Sequence, residues 1–518
     1  MKKNYPRSSG ILMHLSSLPG PYGHGTMGKE AFDFIDFLSE TGCSYWQILP
    51  IGPTDSCHSP YKSCSAFAGN PHLIDLTLLA EDHLLTFQEL ETFKLDTPWH
   101  IDHAAVEKTF NKAFELAFAR LTDAMIKDIH QFAKTQAHWL PDYALYKVIQ
   151  RQHGGEDWPL WKDHALRFHE KATLDIILKQ HAKAILFEEF LQYTFFKQWD
   201  RVKTYAHQKG IEFIGDLPFY VAYESADVWA QPDLFDLDSE RHLNHVAGVP
   251  PDYFAKDGQL WGNPIYNWSA MKTDHYDWWL KRLSHTLNIF DVVRIDHFRA
   301  FSAFWQIDVT AQTAREGRWI KGPGMAFFDK VFETFLDPKI IAEDLGVQDA
   351  SLKKLLKTSK IPGMRILQFG FIEPSDNPHL PHNYIPNCFA YTGTHDNNTL
   401  YGWLWDLNHG ERDYALSYAN YVSTGKTSWQ DGGYKNQACR ALIKALWSSS
   451  ANVTLMPIQD LCAFSADTRM NQPGSTKNNW SFRLSPEAIK QMDQAFLTKI
   501  NGIYHRYHHH PQASETLK

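Results

Sequence analysis

Three segments of this 518-residue chain end in carboxylates after apolar, strand-like runs: Val292-Val293-Arg294-Ile295-Asp296-His297, Ile340-Ile341-Ala342-Glu343-Asp344 and Ala390-Tyr391-Thr392-Gly393-Thr394-His395-Asp396-Asn397. A fourth, Ile214-Gly215-Asp216-Leu217-Pro218, adds Asp216. Parallel strands that finish in acids point to an α/β fold, a (β/α)8 TIM barrel whose chemistry lies at the C-terminal rim. A group of carboxylates there suits cleavage or transfer of a glycosidic bond, which needs one carboxyl to protonate the leaving oxygen and another to act from the opposite side.

Alternate residues of a strand share a face, so Arg294 and Asp296 point the same way. A guanidinium beside a carboxylate keeps the acid ionised, and an ionised, positioned carboxylate can attack an anomeric carbon. Glu343 and Asp344 face opposite ways, so one lines the site and the other caps the following turn. An inward Glu343 among other acids has its pKa raised, which suits a general acid. Each segment also has a structural reading. Arg294–Asp296 could be a buried ion pair, the Asp and Asn residues of 392–398 could cap a turn, and His395 could be a hydrogen-bonded structural histidine. A metal site built from His14, Asp216, Asp296, His297, His395 and Asp396 is a further alternative, but their spacing matches no compact ligand motif. We expect no metal and no cofactor.

The elements that must position these residues are legible as eight near-continuous apolar runs, the pattern of parallel strands covered on both faces. They lie at 10–19, 45–51, 211–218, 291–298, 339–346, 363–371, 388–396 and 453–461. Helical stretches separate several of them. One is 29–41, with Phe32, Ile35 and Leu38 on one side and Gly42 as its stop. We therefore expect a single catalytic barrel over 1–518 with inserted subdomains at its C-terminal rim. The first, 53–210, is mainly helical, since Val106, Phe110, Phe114, Phe118, Leu121, Met125, Ile129 and Phe132 recur at three and four. A further helical stretch over 173–208 closes it. The second, 219–290, is loop-rich and aromatic and contributes to the substrate cleft. The Pro- and Gly-rich stretch 248–264 reads as an ordered functional loop, and Ser59-Pro60-Tyr61 within 52–71 as a lip able to touch a sugar. The tail 507–518 is polar and expected to be disordered.

Composition narrows the partners. With 51 Lys and Arg against 59 Asp and Glu, the net charge is −8, and no long basic run is present. Nucleic acid and anionic membranes are therefore poor partners. The 18 Trp, 22 Tyr and 33 Phe supply flat rings that stack on sugars or fill the core. Six cysteines without a C-x-x-C pair fit a reducing cytoplasm. The apolar stretch Ile11-Leu12-Met13 is too short for a signal peptide.

At these segments the chain resembles the 4-α-glucanotransferases, the amylomaltase or disproportionating-enzyme family related to α-amylases. The resemblance is carried nearly end to end by GILMHLSSLPGPYGHGTMG, LPIGPTDSCHSPYKSCSAFAGNP, GDLPFYVAYESADVW, AGVPPDYFAKDGQLWGNPIYNW, VRIDHFR, IAEDLG, GMRILQFGF, LPHNYIPN, YTGTHDNNT and RMNQPG. It implies Asp296 as nucleophile, Glu343 as general acid/base and Asp396 as the carboxylate that steadies the distorted sugar. It implies further that Arg294 and His395 bond the sugar at the cleavage point, that Asp216, Tyr61 and Trp261 line the grooves, and that Asn471 sits near the cleft. Two positions depart from the pattern: His58, where a small acidic or polar residue is expected, and Asn398, where Asp is frequent.

The expected activity is transfer of a segment of a 1,4-α-glucan to the 4-hydroxyl of an acceptor by a retaining double displacement, with maltooligosaccharides and other α-1,4-glucans as partners. The protein is expected to be a cytoplasmic monomer or homodimer. An α-glucan hydrolase using the same acids, or a glucan-binding scaffold on an inactive barrel, are the competing readings.

Overall fold

The computed structural model describes residues 5–251, 256–346, 348–371, 376–424, 427–475 and 477–507. Part of the loop expected at 248–264 and the tail from 508 lie outside them. Twelve strands are formed among the described residues: β1 (Ser8–Leu12), β2 (Tyr45–Gln47), β3 (Glu212–Leu217), β4 (His245–Val249), β5 (Gln259–Pro264), β6 (Val292–Ile295), β7 (Ala303–Asp308), β8 (Arg318–Lys321), β9 (Ile340–Ala342), β10 (Gly363–Ile366), β11 (Cys388–Tyr391) and β12 (Val453–Pro457).

Eight of them close into a parallel barrel in the order β1-β12-β11-β10-β9-β6-β3-β2. They are the eight expected runs, and each neighbour in space is the neighbour in sequence among barrel strands. The ladders end sooner than the apolar runs do. At β6 the last paired residue is Ile295 and at β9 Ala342. Asp296 and Glu343 follow directly, their N–H groups still donating to the Leu217 and Ile295 carbonyls at 3.0 Å, so the barrel backbone itself holds both at the mouth.

Two cores result from the period-two alternation of each strand. Ile214, Val292, Ile341, Met364, Ile366, Phe389, Tyr391, Val453 and Leu455 fill the barrel interior with Tyr5 and Tyr45. Their neighbours Val293, Ile295, Ile340, Ala342 and Ala390 face out against the helices. Continuing the alternation puts Asp216, Arg294, Asp296 and Glu343 on the interior side, at the top.

The helix expected at 29–41 spans Lys29–Glu40. Between β2 and β3 the periodic pattern resolves into separate helices. The run beginning at Val106 is broken into His103–Phe118 and Asp123–Thr135, because the Thr122 side chain accepts the Met125 N–H and caps a new helix. The stretch 173–208 likewise divides into Lys171–Gln180 and the 27-residue Ala182–Gln208. This long helix serves two layers. Its first half packs Phe187 and Phe190 against Phe118, whereas Trp199 further along packs at a tilt against Phe213 of β3.

The segment 219–290 is more regular than the loop-rich stretch expected. It holds β4, β5 and the helices Ala226–Ala230, Trp268–Thr273 and Asp277–Ile289. Strands β4 and β5 join β7 and β8, from beyond residue 290, in an antiparallel sheet of order β5-β4-β7-β8. No helix among the described residues is long and apolar enough to cross a membrane.

Candidate active site

The site is built from strand ends and the loops that close over them. Arg294, on the interior face of β6 and almost wholly buried, reaches two carboxylates at once. Its Nη1 donates to Asp216 Oδ1 and Oδ2 at 2.7 and 2.6 Å, and its Nη2 donates to Asp296 Oδ1 at 2.9 Å. The register explains the geometry: Asp216 of β3 pairs directly with Arg294 of β6, and Asp296 follows two residues later on the same face.

Glu343 is fixed by backbone rather than by a cation. Its Oε2 accepts the His297 N–H and its Oε1 the Leu345 N–H, both at 2.9 Å. His297 reaches this position with a left-handed φ of 48°, which turns the chain sharply after Asp296. Of the adjacent acids, Glu343 is the one that faces the cleft. Asp344 turns the other way: it accepts the Met364 N–H at 2.7 Å, tying β9 to β10, and its Oδ2 accepts from Gln348 Nε2 at 2.7 Å in the turn that follows. Gly363 is required there, since a Cβ would lie 2.4 Å from Asp344 Oδ2. The helix Ala350–Ser359 beyond that turn is capped by Asp349.

Asp396 stands on the loop after β11. Its Oδ1 accepts from Asn471 Nδ2 at 2.6 Å and lies 3.3 Å from His395 Nε2, while Arg469 Nη2 donates to its carbonyl at 2.9 Å. The Tyr61 ring stacks on His395 with centroids 5.0 Å apart, and its hydroxyl donates to Asp216 Oδ2 at 2.7 Å. Trp261 of β5 lies edge-on to His297 at 4.8 Å, with its Nε1 donating to Gln259 Oε1.

All nine residues singled out in the sequence therefore meet. Asn471, Asp396, His395, Tyr61, Asp216, Arg294 and Asp296 follow one another in a single chain of contacts. Glu343 and Trp261 join it through His297. Sequence reasoning missed three contributors: the His297 amide, the Arg469 guanidinium and the Trp480 indole, whose centroid lies 5.7 Å from Tyr61 and 5.8 Å from His395. The motifs RMNQPG and VRIDHFR contain the first two, but nothing in the sequence marked Trp480.

The electrostatics separate the two central acids. Burial pushes the Asp296 carboxyl up to about 6, with Arg294 pulling it back. Burial and the facing Asp296 push Glu343 up further, to about 8. The two acids thus diverge, the proton held more tightly on Glu343 than on Asp296, which is the separation that a nucleophile beside a proton donor requires. Among the described residues no three or more His, Cys, Asp and Glu side chains are placed to hold a metal ion.

A closed parallel barrel with this pair at its C-terminal mouth defines a class, the barrel enzymes that break and re-form glycosidic bonds. A sequence model of the 4-α-glucanotransferase family matches residues 13–490, and the chain belongs to that family. It is 38% identical to the 4-α-glucanotransferase of Clostridium butyricum over 95% of this chain and 100% of that one. It is 40% identical to that of Aquifex aeolicus over 96% and 99%. Among solved structures it superposes on the amylomaltase of Streptococcus agalactiae in complex with acarbose with a TM-score of 0.92 at 37% identity, covering 97% of this chain and all of that one. The activity is that of the family, transfer of a segment of a 1,4-α-glucan to an acceptor sugar.

Proposed function

We propose that the transfer runs as a double displacement in which Asp296 is the nucleophile and Glu343 the general acid/base. Glu343 gives its proton to the glycosidic oxygen while an Asp296 carboxylate oxygen attacks the anomeric carbon. The C–O bond to the leaving glucan breaks and a covalent glucosyl ester forms on Asp296. The 4-hydroxyl of an acceptor then attacks the same carbon, Glu343 takes its proton, and the ester bond breaks. Two inversions retain the α configuration. The observation that carries this reading is the different setting of the two buried acids: the Arg294 guanidinium on Asp296 favours its ionised form, whereas burial beside Asp296 holds the proton on Glu343 more tightly.

Asp396 in this scheme steadies the charge that develops on the sugar ring, and Arg294, His395, Tyr61, Asp216, Trp261 and Asn471 hold the substrate or the groups that touch it. That the Streptococcus agalactiae amylomaltase was solved in complex with acarbose supports a glucan-like ligand for this protein. We assign the insertions 53–210 and 219–290 to the rim, where the second keeps water from replacing the acceptor. The six free thiols support a reducing, cytoplasmic location.

Incubation with maltotriose alone tests the proposal. Glucose together with maltopentaose and longer chains is the expected product set. Glucose and maltose alone would make the enzyme a hydrolase, and unchanged but bound maltotriose would make it a scaffold.

A further inference from the structure

His58 lies three residues before Tyr61 in a tightly wound loop. Asp55 Oδ1 accepts the N–H groups of Cys57 and Ser59 at 3.0 and 2.9 Å, and the His58 N–H donates to the Asp55 carbonyl at 2.9 Å. The Ser59 hydroxyl accepts the Tyr61 N–H at 3.3 Å. His58 itself has a φ of 64°, a conformation that costs a non-glycine residue and is kept only where the surroundings hold it.

What holds it is a second histidine. The His58 ring lies flat on that of His103, with centroids 3.6 Å apart and planes within 6°. His103 opens the helix His103–Phe118, its imidazole hydrogen-bonds to the Trp480 backbone, and its Nε2 is buried without a partner. The Trp480 indole in turn packs on Tyr61 and His395. The loop is thus fastened at two points, by the Tyr61 hydroxyl on Asp216 inside the cleft and by His58 on His103 outside it.

The stack tolerates little charge, because two imidazolium rings at van der Waals distance repel strongly in a partly buried setting. Asp55 and Glu107 face His58 from the loop and the helix, Asp102 adjoins His103, and His72 faces both rings, with Lys147 beyond it. His24 lies 6.2 Å from His72. Burial and the neighbouring histidines hold His103 and His72 down at about 4, and burial lowers His58.

We infer that His58, stacked on His103, is a positioning residue for the sugar-binding cleft: the stack fixes the loop that presents Tyr61, and it loosens when the histidine cluster takes up protons. The inference rests on the reading of Tyr61 as a glucan-binding residue.

Its test is maltotriose kinetics at pH 7 and calorimetric maltotriose binding from pH 7 down to 3.5, a range that crosses the values of His103 and His72, for the full chain, His58→Ala and His58→Phe. At pH 7 His58→Ala raises KM and Kd roughly tenfold with kcat changed less than about twofold, the signature of lost uniform binding. Wild-type Kd weakens as the pH falls. His58→Phe keeps the flat stack without a titrating ring, so it binds like wild type at pH 7 and weakens less on acidification. An alanine variant with unchanged Kd, or a phenylalanine variant with the wild-type pH slope, overturns the inference. If the alanine variant does not fold, the phenylalanine slope decides alone. Absence of transfer products in the wild type would count against the proposed function instead, because the binding readout needs no turnover.

Discussion

Arg294 donates from Nη2 to Asp296 Oδ1 at 2.9 Å while its Nη1 grips both oxygens of Asp216, whose side chain is fully buried. One guanidinium therefore sets Asp296, the proposed nucleophile, and neutralises a carboxylate beneath it. A lysine presents a single ammonium and cannot fork to both. Removing the cation altogether leaves the Asp216 charge buried with only the Tyr61 hydroxyl to answer it. We expect Arg294→Met to inactivate the enzyme and to lose about 3–5 kcal/mol of stability, the range for a broken buried pair. Adding Asp216→Asn should recover part of the stability but not the activity. Urea unfolding of the two single variants and the double variant measures the coupling, and an additive double variant would mean the pair is not held as described.

Asn471 Nδ2 donates to Asp396 Oδ1 at 2.6 Å across 75 residues of chain. Asn471→Asp would replace that donor with a second acid in contact with the first. Like charges at such a distance raise one pKa of the pair. The expected result is a loss of kcat at pH 7 on the order of 10–100-fold, with the optimum displaced, whereas Asn471→Ala loses less and keeps the wild-type optimum. Kinetics at three pH values separate the two, and equal profiles would remove Asn471 from control of Asp396.

The barrel was legible because each strand is an apolar run, but pairing is not encoded in apolarity. The run at 45–51 continues through Ile48, Leu49 and Ile51, all buried, although the ladder of β2 stops at Gln47. The antiparallel sheet escaped notice because β5 and β8 are half exposed and lack a clean alternation, so nothing in their sequence separated them from loops. The acids proposed as catalytic stood out as strand ends. Their supports did not, since the His297 amide depends on a φ and Trp480 depends on a loop folding back over the mouth.

Gly215 precedes Asp216 on β3, and a Cβ there would lie 1.9 Å from the buried Phe290 ring. The ring has no room to withdraw, so the strand itself must shift. We expect Gly215→Ala to cost about 1–3 kcal/mol, as overpacked cores do, and to move Asp216 away from Arg294. Its melting temperature and KM should change together. A variant destabilised but kinetically unaltered would show that the strand end is decoupled from its middle.

The pH profile of the proposed mechanism follows from the two central acids. Asp296 sits at about 6 and must be ionised to attack, so kcat/KM falls as the pH drops through that value. Glu343 sits at about 8 and must be protonated to release the leaving glucan, so kcat/KM falls again as the pH rises through that value. The expected curve is a bell with roughly tenfold loss per unit on each outer limb. Glu343→Gln removes the proton donor and should lower the rate on maltotriose by roughly 10²–10⁴-fold, with no basic limb left. α-Glucosyl fluoride distinguishes a lost acid from a damaged site, because fluoride departs without being protonated. The variant should therefore still form the Asp296 ester from the fluoride at a rate near that of the wild type, while its maltotriose rate stays low. If Glu343→Gln were as slow on the fluoride as on maltotriose, the loss would lie in the placement of Asp296, and the two amide bonds to Glu343 would be serving the architecture of the turn at His297 rather than proton transfer.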